Sequence, residues 1–147
     1  ELDPHTRAKH DILRRYLQAW QAILPRGGFR EIAYFDGFAG PGSYTGGEDG
    51  SPIIALRIAM AVPITTTRMR FVFVENNEDR VDALHAAVSA LGKLPSHIDV
   101  QIVPTDFESA FADFVEASRT SDNVFQALHS VHCPCHFEYS APQSLQT

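Results

Sequence analysis

The chain is short of cysteine, of positive charge and of long apolar runs, and each shortage removes a class of protein. Its two cysteines are Cys133 and Cys135, with one residue between them. That spacing is unfavourable for a native disulfide, so a disulfide-stapled secreted scaffold is not expected. No stretch approaches the ~18 consecutive apolar residues of a membrane span, and no charged-then-apolar leader opens the chain; a cytoplasmic location is the expectation. Acids outnumber bases, 18 against 12, for a formal net charge of −6. The chain as a whole therefore lacks the basic footprint of a nucleic-acid binder. A local one is still open, because Arg7, Lys9, Arg14, Arg15, Arg26 and Arg30 sit near the N-terminus, where the solvated side of a helix would equally account for them. No Gly-Lys-Ser/Thr follows a glycine loop, which disfavours a phosphate-loop NTPase. The chain opens on Glu1 rather than Met, so its start is expected to be missing or edited.

What is present is one domain's worth of sequence, 147 residues of which 44% are hydrophobic, enough to bury a core. Segment 5–24 places Ile12, Leu13, Tyr16, Leu17, Trp20, Ile23 and Leu24 at intervals of three and four, which predicts an amphipathic helix ended by Pro25 and Gly27-Gly28. EIAYFD, 31–36, reads as a short buried strand. A loop with six glycines fills 37–50, and Ser51-Pro52 reads as an N-cap with proline in the first turn of a helix to about Ala61. MRFVFVE, 69–75, is a second strand, and Asn76 or Asn77 caps a helix to about Leu91 with Glu78 and Asp79 in its first turn. IDVQIVP, 98–104, is a third strand, and Thr105 or Asp106 opens a helix carrying Phe107, Phe111, Phe114 and Val115 on one face. Strands alternating with helices predict an α/β fold with a parallel sheet covered on both faces. After Ser118 the periodicity fails. VFQALHSV there reads at most as a short helix, and no further strand is expected.

Bare backbone is concentrated in FDGFAGPG, 35–42, directly after the first strand. In open parallel sheets ligands bind at the carboxyl ends of the strands, and three such ends carry an acid: Asp36, Glu75 and Asp106. Gly37, Gly40 and Gly42 lack Cβ atoms, so the loop can lie against a ligand. Glu75 suits two vicinal ribose hydroxyls and Asp106 an adenine amine. Asp36, beneath the loop, can pin backbone amides or reach a ligand ammonium. Either of the later acids also suits a helix cap or first turn. The spacing is G-x-x-G-x-G rather than the dinucleotide G-x-G-x-x-G. The convergence predicts a nucleoside pocket, with S-adenosylmethionine the favoured ligand and a different adenosine cofactor the lesser alternative.

DGFAGPG followed by FVFVENN resembles the class I S-adenosylmethionine-dependent methyltransferases, most of all members acting on nucleic acids. With the flanks HTRAKHDILRRYLQAWQAIL and YFDGFAGPGSYTGGEDGSPIIAL, residues 4–116 look like the three-Cys-motif partner proteins, a bacterial and archaeal family with a methyltransferase-like fold. The resemblance implies a Rossmann-like sheet, an S-adenosylmethionine site, and association with a separate three-Cys-motif protein. Residue by residue it implies a cofactor site at Asp36, Gly37, Phe38, Ala39, Gly40, Gly42, Glu75, Asn76, Asp106 and Phe107. Thr6, Lys9 and His10 match the family's N-terminal helix, either over the cleft or as an exposed face. It also implies an apolar fourth strand ending in Asp-Pro-Phe-Gly or similar after residue 120, which this sequence lacks. The expectation is therefore a partial sheet of strands 1–3 with flanking helices, its C-terminal half missing, truncated or out of frame after about Asn123 and inactive alone. Three segments follow: an N-terminal helix over 1–30, a methyltransferase-like half-domain over 31–118 and an irregular tail over 119–147. The first strand would then have an unpaired edge and one sheet face no helix layer, making the chain only marginally stable.

His129, His132, Cys133, Cys135 and His136 crowd one tail, without the paired, distant spacing of a structural zinc site, so no metal is expected. Pro134-Cys135 is similar to the Pro-Cys nucleophile of cytosine-5 methyltransferases, but no apolar strand precedes it and it lies 95 residues after Gly40. The motif cysteines belong to the partner protein, so these two are not evidence for the family. The reading from another class is a non-catalytic interaction module that keeps the fold.

Overall fold

The computed structural model describes residues 4–23, 28–63, 66–119 and 124–129. Along the chain run α1 (Pro4–Ile23), β1 (Glu31–Asp36), α2 (Ser51–Met60), β2 (Arg68–Val74), α3 (Glu78–Ser89), β3 (Ile98–Val103), α4 (Phe107–Arg119) and β4 (Val124–His129). The strands form one parallel sheet in the order β3-β2-β1-β4. Each expected strand and helix up to residue 118 is present within about two residues of its expected bounds.

The pleat sends alternate residues of β1 and β2 to opposite faces. Ile32, Tyr34, Met69, Phe71 and Phe73 join Leu13 and Leu17 of α1, Ile54 and Leu56 of α2 and Leu84 of α3 in one core cluster. Ala33, Phe35, Val72 and Val74 join Ala110 and Phe114 of α4 in another. Both faces are thus covered, and the expected bare face is not found: the Phe107, Phe111 and Phe114 side of α4 fills it. α1 packs on α2, which is buried along most of its length.

The end of the described chain overturns a larger expectation. Val124–His129 is a strand rather than a short helix, and it pairs with β1 along its whole length, from Glu31 opposite Val124 to Asp36 opposite His129. The first strand therefore has partners on both sides, and the open edge on which the expectation of marginal stability rests is not present. The physical reason is tertiary. A buried apolar strand must satisfy its outward N–H and C=O groups, and that demand overrides the weak local pattern of VFQALH. The segment 119–147 is accordingly not irregular throughout.

Chain order explains the two faces. β1 to β2 to β3 steps one way across the sheet, with α2 and α3 on one face. Returning from β3 to β4 reverses direction, and a crossover of unchanged hand must then place α4 on the opposite face. The reversal falls between β1 and β4, the kind of crevice where open α/β sheets bind ligands. No helix among the described residues is long and apolar enough to cross a membrane.

Candidate functional site

At the carboxyl ends of β1, β2 and β3 lies a cavity of about 500 Å³, within the range of small-molecule sites. The loop after β1 contributes Gly37, Phe38, Gly40, Pro41 and Tyr44; the end of β2 and the start of α3 contribute Val74, Glu75, Asn76 and Arg80; and the β3–α4 turn contributes Thr105, Asp106 and Phe107.

Glu75 organises this site. It is buried, 7% exposed. Its Oε2 accepts the Gly40 N–H at 3.1 Å and its Oε1 the Asn77 N–H at 3.0 Å. One carboxylate thus ties the glycine loop to the start of α3, and each oxygen retains a lone pair for a further donor. The Ala39 N–H adds a second tie, donating to the Val74 carbonyl at 2.9 Å. Asn77 caps α3 by accepting from the Arg80 N–H at 3.0 Å. Arg80 Nη1 stands 4.0 Å from Glu75 Oε2, with the arginine largely exposed, so solvent screens this pair.

Asp36 does something else. It is fully buried, accepting from Ser51 Oγ at 2.6 Å and from the Phe38 N–H at 3.2 Å. It does not line the cavity. Of the two roles expected for it, pinning the loop is the one observed. Ser51 is correspondingly not a helix cap; Gly50 holds that position and Ser51 turns its hydroxyl to the buried acid. Burial, and next the nearby Asp36 and Tyr16, push the Tyr34 phenol well above its ordinary value, so it stays protonated.

Two glycines answer to neighbouring side chains rather than to open space. A Cβ on Gly37 would collide with the Phe107 ring. A Cβ on Gly42 would sit 2.9 Å from Leu84 Cδ1 and 3.0 Å from Ala87 Cβ, and its φ of 78° lies in the left-handed region. Gly40 alone of the three lines the cavity with nothing near its missing Cβ. The ring behind Gly37 is part of a staircase: Phe38 stacks on Phe107 at 5.4 Å and 7°, and Phe107 on Phe111 at 5.4 Å and 10°. Gly37→Ala is expected to cost about 1–3 kcal/mol through overpacking. Phe107→Ala should cancel most of that cost in a double-mutant cycle read by chemical denaturation; additive losses would count against the contact.

Asp106 lies three residues beyond β3 and caps α4, its Oδ1 accepting from the Ser109 N–H at 2.9 Å and its Oδ2 from the Ser109 hydroxyl at 3.0 Å. Those bonds, the backbone one first, hold its carboxyl below the usual range. A depressed carboxyl stabilises above its unfolded value, ~3.9, and the contribution fades as pH falls through the lowered one. Asp106→Ala should therefore lower the thermal midpoint more at neutral pH than in acid below both values, read by circular dichroism.

No family model, curated protein or solved structure matches this chain.

Of the residues expected at the site, Gly37, Phe38, Gly40, Glu75, Asn76, Asp106 and Phe107 line one cavity, while Asp36, Ala39 and Gly42 support it from behind. Sequence reasoning missed Pro41, Tyr44, Val74 and Arg80 as lining residues and had Thr105 only as a helix opener. Arg80 had a usable signal, since the first turn of a helix following a strand end faces the cleft. Tyr44 had none, because its position depends on the path of the glycine loop. The N-terminal helix also reaches this region: His10 is buried, its ring 6.1 Å from that of Tyr44, while Lys9 is exposed. An exposed helix face thus describes Lys9 and not His10. His132, Cys133, Cys135 and His136 lie outside the described residues, as does Arg26. Among the described residues, no group of three or more His, Cys, Asp or Glu is placed to hold a metal.

Proposed function

We propose that this chain is a Rossmann-like, methyltransferase-type domain resembling the three-Cys-motif partner proteins, and that its cavity takes the adenosyl part of S-adenosylmethionine. The observation that carries the reading is the Glu75 carboxylate, fixed by the Gly40 and Asn77 amides at the wall of a cavity of about 500 Å³ beside the sheet's reversal point. A carboxylate so held needs no reorganisation to accept two ribose hydroxyls on its remaining lone pairs. The open space at Gly40 lets backbone approach the ligand, and Asp106 and Phe107 bound the side where an adenine edge and face would lie. The residues present fit an adenosyl group at these positions. They do not fit an ammonium contact by Asp36, whose oxygens are engaged inside the protein.

The chemistry such a cofactor supplies is an electrophilic methyl group. What this chain contributes is positioning and a walled cavity. Titration calorimetry with S-adenosylmethionine and with its demethylated product tests the reading, with binding of both expected. A folded chain that binds neither would overturn it in favour of a non-catalytic interaction module on the same fold. Association with a three-Cys-motif protein remains part of the proposal on the strength of the sequence resemblance alone.

A further inference from the structure

Charge is unevenly distributed over this acidic chain. α1 carries Arg7, Lys9, Arg14 and Arg15, four of the chain's 12 basic residues, and only Asp11 of its 18 acids. All four bases are exposed. At about 100° per residue, Arg7 and Arg14 fall on one stripe, Arg15 lies roughly a quarter-turn from it and Lys9 on the other side of the helix, and Asp11 pairs with Arg14 at 3.4 Å. That stripe borders His10, which sits one turn from both Arg7 and Arg14 and packs its ring against Tyr44 at the cavity wall. The cationic face therefore ends at the cleft.

The cleft's rim is aromatic. Ile12, Phe38 and Tyr44 are the large hydrophobic side chains most open to solvent among the described residues, and the two aromatics, 41% and 36% exposed, both line the cavity. The far side of the cleft carries Glu75 and Asp106 together with the cation Arg80, and the first turn of α3 next to it adds Glu78 and Asp79. A polyanion is thus attracted along α1 and repelled along the α3 and α4 side.

We infer that α1 and this rim bind single-stranded nucleic acid, the phosphates running along Arg7, Arg14 and Arg15 and an unstacked base reaching Tyr44 and Phe38. Cationic track and aromatic platform are the two components such binding requires. A duplex keeps its bases stacked and cannot use the rim. An acidic protein surface would use the arginines but not the aromatics. The inference gives the class of acceptor for the proposed adenosyl site and rests on that reading only for the chemistry, not for the binding.

Fluorescence anisotropy with labelled single-stranded RNA and DNA, duplex DNA and polyglutamate, at several salt concentrations, tests it. Single strands should bind more tightly than duplex or polyglutamate. Arg7→Gln/Arg14→Gln/Arg15→Gln should weaken single-strand binding on the order of a hundred-fold at ~50 mM salt and reduce the slope of log affinity against log salt by about 2. Tyr44→Ala should weaken it about ten-fold with the slope unchanged. Asp11→Asn should tighten it. Equal binding of duplex or polyglutamate, no single-strand binding at low salt, or an arginine variant that binds like the wild type would each overturn the inference. Calorimetry with S-adenosylmethionine is run on the same arginine variant, whose substitutions lie outside the cavity. That variant should keep cofactor binding, and a wild-type protein that binds single strands but not S-adenosylmethionine would count against the proposed function and not against this surface.

Discussion

Asp36→Ala should lower the stability of the fold by about 3 kcal/mol, with Asp36→Asn costing only about 1 kcal/mol. Hydrogen bonds to a charged group contribute ~1.5–3 kcal/mol each, and Asp36 accepts two from inside the protein. Alanine leaves the Ser51 hydroxyl and the Phe38 N–H without that acceptor. The loss is smaller than the two bonds together, because burying the carboxylate itself is costly. Asparagine can keep both bonds: its oxygen accepts from Phe38, and its amide donates to Ser51 once the hydroxyl rotates. Against a total of ~5–15 kcal/mol for a typical domain, the alanine variant should show a clearly lower denaturation midpoint. The asparagine variant also separates structure from ligand binding. If Asp36 only pins the loop, Asp36→Asn binds S-adenosylmethionine as the wild type does. A large loss of binding in a stable Asp36→Asn protein would show that the acid reaches the ligand after all.

Glu75→Ala should weaken S-adenosylmethionine binding by ten- to a hundred-fold while costing less stability than Asp36→Ala. Loss of charge-assisted bonds worth ~1.5–3 kcal/mol corresponds to that range, at 1.4 kcal/mol per factor of ten. The stability loss is milder because the Ala39 N–H still donates to Val74, and the Gly40 and Asn77 amides lie beside a cavity that admits water. Glu75→Gln should fall between the two, since its NH2 group must face one of two backbone donors. Calorimetry on each variant, with denaturation as the control for folding, reads both effects. Unchanged affinity in Glu75→Ala would remove the observation on which the proposed function stands.

These two acids show how far sequence alone reaches. Asp36 and Glu75 close neighbouring strands in the same way and looked alike from their positions. One proves to be sealed under the loop and the other set in the cleft wall. Asp36 is committed to Ser51, 15 residues on, and Glu75 to Gly40, 35 residues back. Neither partner is encoded by local pattern. The glycines divide likewise: Gly37 is bare to admit Phe107, Gly42 to admit α3, and Gly40 alone leaves space toward the cleft.

What the sequence by itself determined is the kind and order of the elements up to residue 118, and the placing of the site after the strands. Period, caps and glycine stops act over a few residues and are readable without a partner. Only the tertiary structure decided that Val124–His129 is a strand, that α4 covers the second face, and that His10 turns inward. Each of these outcomes depends on a surface formed by distant parts of the chain. A polar backbone edge, a row of exposed apolar side chains or a ring in a loop exists only once the rest has folded, and it then selects what lies against it.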